Sequence, residues 1–284
     1  ADRTDYENIS GTGNVTVNNG GQAYLLLAGA VYPSSFTIEG TGPLEPAGNL
    51  GALRLENNSV SGNVTVASAG ARLLAYSGST GTISGGLLGS GNLEINSPAA
   101  NHNGTITLSG FNEGYTGTMT VAQGRLNLND RLGGSVSVSD GATLGGGGEG
   151  QGAPTPRAPG AANSTGMQSA TLTLGSTTGA NLRVNGSTAP AMLAENLVLN
   201  GVSTVFLDTI PSPLASVKIL EFTNLTGGIA NLQTSGTSAY RTAFVNTGTS
   251  IDLNFITESR TWAGTVDGNW NSSTLNWVEG DKKF

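Results

Sequence analysis

The residue types that could carry nucleophilic or acid–base chemistry are few in this chain. It has one histidine, His102, which lies in the polar sequence NHNG at residues 101–104. A Ser–His–Asp system would need a serine on one side of the ring and an orienting carboxylate on the other. Asp130 and Asp140 could supply the carboxylate. The turn-like sequence around His102 nevertheless favours a solvated histidine, and we predict no catalytic residue here.

Carboxylates, on which glycosidases and polysaccharide lyases depend, are scattered. A glycosidase needs two carboxyl groups that face each other across a cleft. Asp130 and Arg131 are adjacent, and a surface ion pair is the simpler interpretation of that pair. The chain is therefore predicted not to be an enzyme, with a carbohydrate-active enzyme as an alternative. The acidic residues considered are Glu94, Glu113, Asp130, Asp140, Glu195, Asp208 and Glu221.

Glycine-rich runs that could hold an ion or a phosphate lack the partner residues those sites need. Calcium-binding repeats read G-G-x-G-x-D, and residues 85–92 have the glycines without the aspartate. The four glycines at 145–148 are not followed by Lys-Ser or Lys-Thr, as a phosphate-binding loop requires. Cysteine is absent. We predict neither a metal site nor a cofactor.

All three tryptophans lie near the C-terminal end, at Trp262, Trp270 and Trp277. Indole rings could form a platform on which sugar rings stack. Their recurrence together with glycine and asparagine favours a junction or cap between repeat blocks. We therefore treat the three as candidate carbohydrate or junction contacts.

The charge balance excludes one class of partner. With 12 basic and 19 acidic residues, the net charge is −7, and there is no basic footprint for nucleic acid. No apolar run is long enough to cross a membrane as a helix.

Short strands are the elements that would position any site. Residues 103–128 contain three runs with apolar residues at alternate positions, a spacing that places them on one face of a strand. Glycines before and between the runs favour tight turns. Such a unit cannot bury its apolar face alone and needs similar units above and below. The alternating residues are Ile106 and Leu108, Met119 and Val121, and Leu126 and Leu128.

Similar units recur along the chain. The sequence GNVTV occurs at residues 13–17 and 62–66, and GSVSV follows at 134–138. The most apolar run, residues 23–32, is predicted to be a strand buried on both sides. With 44 glycines, 37% hydrophobic residues and only 6% aromatic residues, the composition is typical of a β-solenoid with a narrow aliphatic core. We predict an all-β chain with coils of roughly 20 or more residues.

The pattern divides the chain into four parts. Residues 1–144 and 169–258 are predicted to be solenoid coils. Residues 145–168 contain three prolines and no alternation, which indicates a loop or linker. Residues 259–284 are predicted to be a tryptophan-rich junction or the start of a following repeat block.

Residues 104–128 resemble the bacterial autotransporter-associated β-strand repeat. The pattern is a strand ending in L-S-G, then N-x-Y-T-G, then T-x-V-x-x-G, then a second aliphatic strand. Glu113 and Gly114 stand where the family usually has one residue. The matching residues are Leu108, Ser109, Gly110, Asn112, Tyr115, Thr116, Gly117, Thr120, Val121, Gly124 and Leu126.

This resemblance implies a right-handed parallel β-helix that is exported as a passenger or stalk. The expected location is secreted or at the surface of a Gram-negative-type bacterium, attached to its outer membrane. The expected role is structural or adhesive: a stalk, an adhesin or a self-associating surface fibre. Its partners would be further copies of the chain, joined end to end or laterally, or a glycan or protein on a host or neighbouring cell. A carbohydrate-active β-helix enzyme or a carbohydrate-binding module is the alternative, and exposed aromatic residues in a row would favour the latter.

Overall fold

The structure is a computed structural model. It describes residues 3–6, 11–129, 131–146, 167–185, 192–211, 216–235, 240–256, 261–262, 277–279 and 282–283. Most of the predicted loop at 145–168 and most of the segment 259–284 therefore lie outside the described residues. The division into four parts stays a prediction.

Apart from one short 3-10 helix at Ile229–Asn231, the described residues form β-strands and the turns and irregular segments that join them. The predicted all-β class is confirmed. The strands are β1 (Arg3–Tyr6), β2 (Asn14–Val17), β3 (Gln22–Leu25), β4 (Val31–Tyr32), β5 (Ser35–Gly40), β6 (Leu44–Glu45), β7 (Gly48–Asn49), β8 (Leu53–Leu55), β9 (Asn58–Val60), β10 (Val64–Ala75), β11 (Thr80–Ile83), β12 (Leu87–Gly89), β13 (Leu93–Ile95), β14 (Thr105–Leu108), β15 (Thr118–Val121), β16 (Arg125–Leu128), β17 (Ser135–Val138), β18 (Thr143–Gly146), β19 (Met167–Leu174), β20 (Asn181–Asn185), β21 (Met192–Leu199), β22 (Ser203–Thr209), β23 (Val217–Thr226), β24 (Leu232–Ser235), β25 (Arg241–Asn246), β26 (Ser250–Ile256), β27 (Thr261–Trp262), β28 (Trp277–Glu279) and β29 (Lys282–Lys283).

Two long sheets contain most of these strands. A 15-stranded sheet runs from β1 through β3, β8, β10, β13, β15, β17, β19 and β21 to β23, with parallel pairing throughout that stretch. A nine-stranded parallel sheet runs from β4 to β24. From β13 to β24 the chain enters the two sheets alternately. Near the N-terminal end, β2, β5, β10 and β12 form a further parallel ladder.

The register of the strands brings like side chains together. Ile106 pairs with Leu126, and Leu126 pairs with Leu144; all three are 0% exposed. Because the side chains of a strand alternate between its faces, this register builds a single core from the inward residues. Side-chain hydrogen bonds between neighbouring strands join residues 20 to 29 positions apart. The alternation read from residues 103–128 is thus reproduced in β14, β15 and β16.

The apolar run at 23–32 is not one buried strand, and that prediction is wrong. Only β3, which ends at Leu25, is buried throughout. Leu26 and Leu27 are 39% and 51% exposed in the turn that follows. The Ala30 amide donates to the Leu27 carbonyl, and Gly29 has a φ of 77°. The chain must turn here to pass from one sheet to the other, so hydrophobicity alone did not decide the conformation.

Parallel pairing of the 15-stranded sheet stops after β23. The hairpin formed by β25 and β26 adds to β23 in the antiparallel sense and ends the sheet. A separate antiparallel sheet comprises β27, β28 and β29. No helix among the described residues is long and apolar enough to cross a membrane.

Candidate functional site

The three tryptophans are only partly placed by the structure. Trp262 and Trp277 are directly opposite each other in the antiparallel pair of β27 and β28. Trp270 lies outside the described residues. Their role as carbohydrate or junction contacts stays a prediction.

A bulge in β10 creates a groove on the outside of the 15-stranded sheet, which we call the corner groove. Val66 pairs with Ile38 and Ala71 with Gly40, so that four residues of β10 face a single residue of β5. Extra residues in one strand bend it and disrupt the ladder locally. Beside this bulge is a cavity of about 320 Å³. Its lining comprises the small residues Gly40, Ala69, Gly70 and Ala71, the aliphatic Leu93, and the polar residues Thr41, Asn92, Glu94 and Thr120.

Glu94 is the charged residue that lines the corner groove. Arg72 pairs with it, donating from Nη2 at 2.7 Å and from Nε at 3.0 Å, both to Oε2. Arg72 also donates to the Asn49 carbonyl at 2.9 Å. Since both bonds from Arg72 go to Oε2, Oε1 of Glu94 keeps its capacity to accept a hydrogen bond. The Glu94 side chain is 30% exposed, so a solute in the groove can reach it.

His102 is not a solvated turn residue, and that prediction is wrong. Its side chain is 0% exposed, and Nδ1 lies 2.6 Å from Oγ of Ser97, which is also buried. Nε2 is buried and has no hydrogen-bond partner among the described residues. The Tyr76 ring packs against the imidazole with its centroid 5.6 Å away. The turn around residues 97–104 folds inward, and therefore its polar sequence was a poor guide to exposure.

The pair of Ser97 and His102 lacks two features of a catalytic triad. No carboxylate lies against the free ring nitrogen in the described part of the chain, and both side chains are closed off from solvent. Asp140 is engaged elsewhere, by Ser176, Thr177 and Gly179. Asp130 lies outside the described residues. The geometry indicates a structural histidine.

Burial and two arginine charges act on the pKa of His102. Burial lowers the pKa of His102, and the charges of Arg72 and Arg54 lower it further. Arg54 is stacked between Tyr24 and Tyr76, with its Cζ 4.3 Å and 4.7 Å from the two ring centroids. Each arginine has its own carboxylate, Glu56 for Arg54 and Glu94 for Arg72. His102 is therefore held neutral by its surroundings.

The stability of the protein is expected to fall as the pH drops through the ordinary range of histidine. Below about pH 6.5 the unfolded chain takes up a proton on His102, whereas the folded chain, with its lowered pKa, does not. The free energy of unfolding at pH 5.5 should be lower than at pH 7.5 by up to about 1.4 kcal/mol. Urea titrations at the two pH values measure the difference.

The replacement His102→Gln is the control for this effect. Since the chain has only this histidine, no other imidazole contributes between pH 5.5 and 7.5. The variant should be less stable than the wild type at pH 7.5, and its unfolding midpoint should be the same at both pH values. A drop of the same size in the variant would assign the pH dependence to other groups.

Glu113, Asp208 and Glu221 each form an ion pair with one basic residue, whereas Glu195 lies exposed in β21. Arg131 pairs with Glu113 at 3.4 Å, which gives it an ionic partner other than the predicted Asp130. Asp208 pairs with Arg183, and Glu221 with Lys218. No group of three or more metal-ligating side chains occurs in the described ranges.

Asp140 joins two turns that lie on either side of the segment 147–166. Its carboxylate accepts hydrogen bonds from the Ser176 amide at 2.7 Å, the Ser176 hydroxyl at 2.7 Å and the Gly179 amide at 3.0 Å. These bonds, the Ser176 amide first, hold the pKa of Asp140 far below its usual value. The residue thus has a structural role that sequence analysis did not identify.

The sequence analysis also did not identify two buried asparagines, Asn112 and Asn96. Asn112 is 0% exposed; it accepts a bond from the Leu87 amide and donates to the Gly110 carbonyl. Asn96, equally buried, bonds to three backbone groups of neighbouring strands and turns. The only available signal was that Asn112 belongs to the N-x-Y-T-G part of the repeat pattern. The same pattern contains Tyr115, whose pKa burial raises to about 12.

Comparisons with protein-family models, with curated proteins and with solved structures found no match.

Proposed function

We propose that this chain is a segment of a right-handed parallel β-helix that is secreted or displayed on a bacterial surface, where it acts as a stalk, an adhesin or a self-associating fibre. The observation that carries the proposal is the continuous parallel register of two sheets that the chain enters alternately. In a β-helix each passage through the sheets is one coil, and successive coils stack by hydrogen bonds between equivalent strands.

The stacking of glycines supports this architecture. At Gly62, Gly85 and Gly110, a Cβ would overlap the carbonyl oxygen of Ser34, Gly62 and Gly85, respectively. Gly85 and Gly110 therefore each lie directly against the preceding glycine of the series, and Gly62 lies against Ser34. Close approach of this kind at a constant position in successive coils gives a column with a uniform spacing.

A column of this kind suits a mechanical role. Neighbouring strands of a sheet are about 4.8 Å apart, so the nine strands from β4 to β24 span about 40 Å. Each coil contacts only its neighbours, which makes the column extendable by further repeats. The resemblance of residues 104–128 to the autotransporter-associated repeat supports export to the cell surface.

Electron microscopy and small-angle X-ray scattering of the purified chain test the proposal. Elongated particles at low protein concentration, and filaments or discrete short rods at high concentration, are the expected result. Filaments would identify a fibre subunit, and discrete rods would favour a stalk or adhesin segment. Compact particles with nearly equal axes at all concentrations would contradict the proposal.

Cysteine cross-linking tests the coil register independently, because the chain has no cysteine of its own. Thr107 and Asn127 are paired on adjacent strands, and their replacement by cysteine should give a disulfide under mild oxidation. The matched control combines Thr107→Cys with Arg183→Cys, which lies in the same sheet three strands away from Thr107. Equal cross-linking in both variants would overturn the register.

A carbohydrate-binding module is the second candidate function. The corner groove is the observation that favours it, because polar side chains line an accessible cavity there. A carbohydrate-binding function is compatible with the proposed β-helix.

A further inference from the structure

The corner groove runs along the direction in which the strands stack. Its lining comes from β5, β10, β13 and β15, together with the turn after β5. Arg72 pairs with Glu94 in the strand register, and Glu94 pairs with Thr120. Because neighbouring strands are about 4.8 Å apart, the groove extends about 10 to 15 Å. It is therefore long and narrow, and its length matches two or three sugar rings.

The floor of the groove is shaped by small residues. Gly70 has a φ of 86°, and a Cβ there would lie 2.8 Å from the Asn92 carbonyl oxygen. Ala69 is exposed at the bulge. A larger side chain at this bulge would fill the space that the small ones leave open. The residues of the bulge thus keep the cavity accessible.

The polar groups that face the groove can donate and accept hydrogen bonds without presenting a net charge. Thr41 and Thr120 offer hydroxyls, and Asn92 offers an amide. The charge of Glu94 is balanced by Arg72, while Oε1 of Glu94 can still accept a bond. Neutral hydroxyl groups are the chemical partners that this set satisfies best. An acidic sugar would bring a second carboxylate towards Glu94.

We propose that the corner groove binds a neutral oligosaccharide of two or three rings, which lies along the stacked strands. Glu94 accepts a hydrogen bond from one sugar hydroxyl, and Thr41, Asn92 and Thr120 bind others. This proposal rests on the proposed function, since it gives the adhesive segment its ligand. The described residues that line the groove include no aromatic side chain. A single site therefore binds weakly, and several copies on one surface add avidity.

The test uses the full chain and four trisaccharides: cellotriose, maltotriose, chitotriose and trigalacturonic acid. Saturation-transfer NMR, which detects weak binding, measures each one. At least one neutral trisaccharide is expected to bind, and more tightly than the acidic one. Ala69→Trp should weaken binding at least tenfold because the indole fills the groove, and Glu94→Gln should weaken it by a smaller factor. The control is Ala28→Trp, which adds the same side chain at an exposed turn outside the groove.

The outcomes separate this inference from the proposed function. Loss of binding in Ala69→Trp, with binding retained in Ala28→Trp and the same circular dichroism in both, supports the groove. Three results would overturn the groove proposal: unchanged binding in Ala69→Trp, no binding of any neutral trisaccharide, or tightest binding of trigalacturonic acid. Elongated particles in scattering with no sugar binding would leave the β-helix in place and remove only the groove. Sugar binding by a compact particle would support the groove and contradict the β-helix.

Discussion

Replacing Asn96 with alanine is expected to lower the free energy of unfolding by about 4 kcal/mol. The Asn96 side chain accepts from the Ala75 amide and donates to the Gly104 and Gln123 carbonyls, each at 2.9 Å. Without it the Ala75 amide and the Gln123 carbonyl lose this bond, and the Gly104 carbonyl keeps only the bond from the Arg125 amide. Each lost bond costs about 1 kcal/mol. Asn96 also has a φ of 62°, a conformation that costs alanine about 1 kcal/mol. Urea unfolding followed by circular dichroism measures the change.

Two further variants separate these contributions. Asn96→Gly removes the hydrogen bonds but permits the positive φ, so it should recover only about 1 kcal/mol relative to alanine. Asn57 has a φ of 56°, lies exposed and accepts one bond, from the Thr80 amide. Asn57→Ala should therefore cost only about 2 kcal/mol. Equal costs at positions 57 and 96 would show that the three hydrogen bonds of Asn96 stabilise the protein no more than the single exposed bond of Asn57 does.

The strands could be predicted from the sequence because their signal is local. Alternation at Met119 and Val121 reports which side chains are inward, and both are fully buried. The exposed turn at Leu26 and Leu27 could not be predicted in this way. A run of apolar residues indicates that burial is favourable. It does not indicate where the chain must turn to pass from one sheet to the next.

The candidate site depends on longer-range geometry. The corner groove exists because four residues of β10 face one residue of β5, a mismatch between segments far apart in sequence. The burial of His102 likewise depends on Tyr76 and Ser97, which pack around the ring from another strand end and from the same turn. Neither arrangement can be recognised from the types of the residues that are adjacent in sequence.

One long-range feature was present in the sequence as a repeat. The tripeptides VSG, ISG and LSG end at Gly62, Gly85 and Gly110. In the structure Val60 pairs with Ile83, and Ile83 pairs with Leu108, so the three tripeptides are aligned. The Ser84 amide donates to the Val60 carbonyl and the Ser109 amide to the Ile83 carbonyl. The recurrence of S-G after an aliphatic residue therefore marks the stacking position directly.

This alignment makes Gly110 the position where one added methyl group should do most harm. The Gly85 carbonyl oxygen occupies the place that a Cβ on residue 110 would take. Because that oxygen belongs to the backbone of the neighbouring strand, neither group can move without breaking the ladder. We expect Gly110→Ala to lower the free energy of unfolding by about 3 kcal/mol, at the upper end of overpacking effects. Urea unfolding of the variant and the wild type measures it.

Gly114→Ala is the matched control, four residues away in the same repeat. Gly114 is exposed, and the first atom that its Cβ would meet is the end of the Leu88 side chain, which can rotate away. It also lies in the two-residue spacer between Asn112 and Tyr115, where the repeat pattern that this segment resembles has one residue, so no constant position in the stack requires glycine there. Its replacement should cost about 1 kcal/mol or less. If Gly110→Ala and Gly114→Ala lower the free energy of unfolding equally, the glycine at the end of L-S-G would reflect the flexibility of a turn. A much larger loss for Gly110→Ala would show that the spacing of the stacked strands requires glycine there.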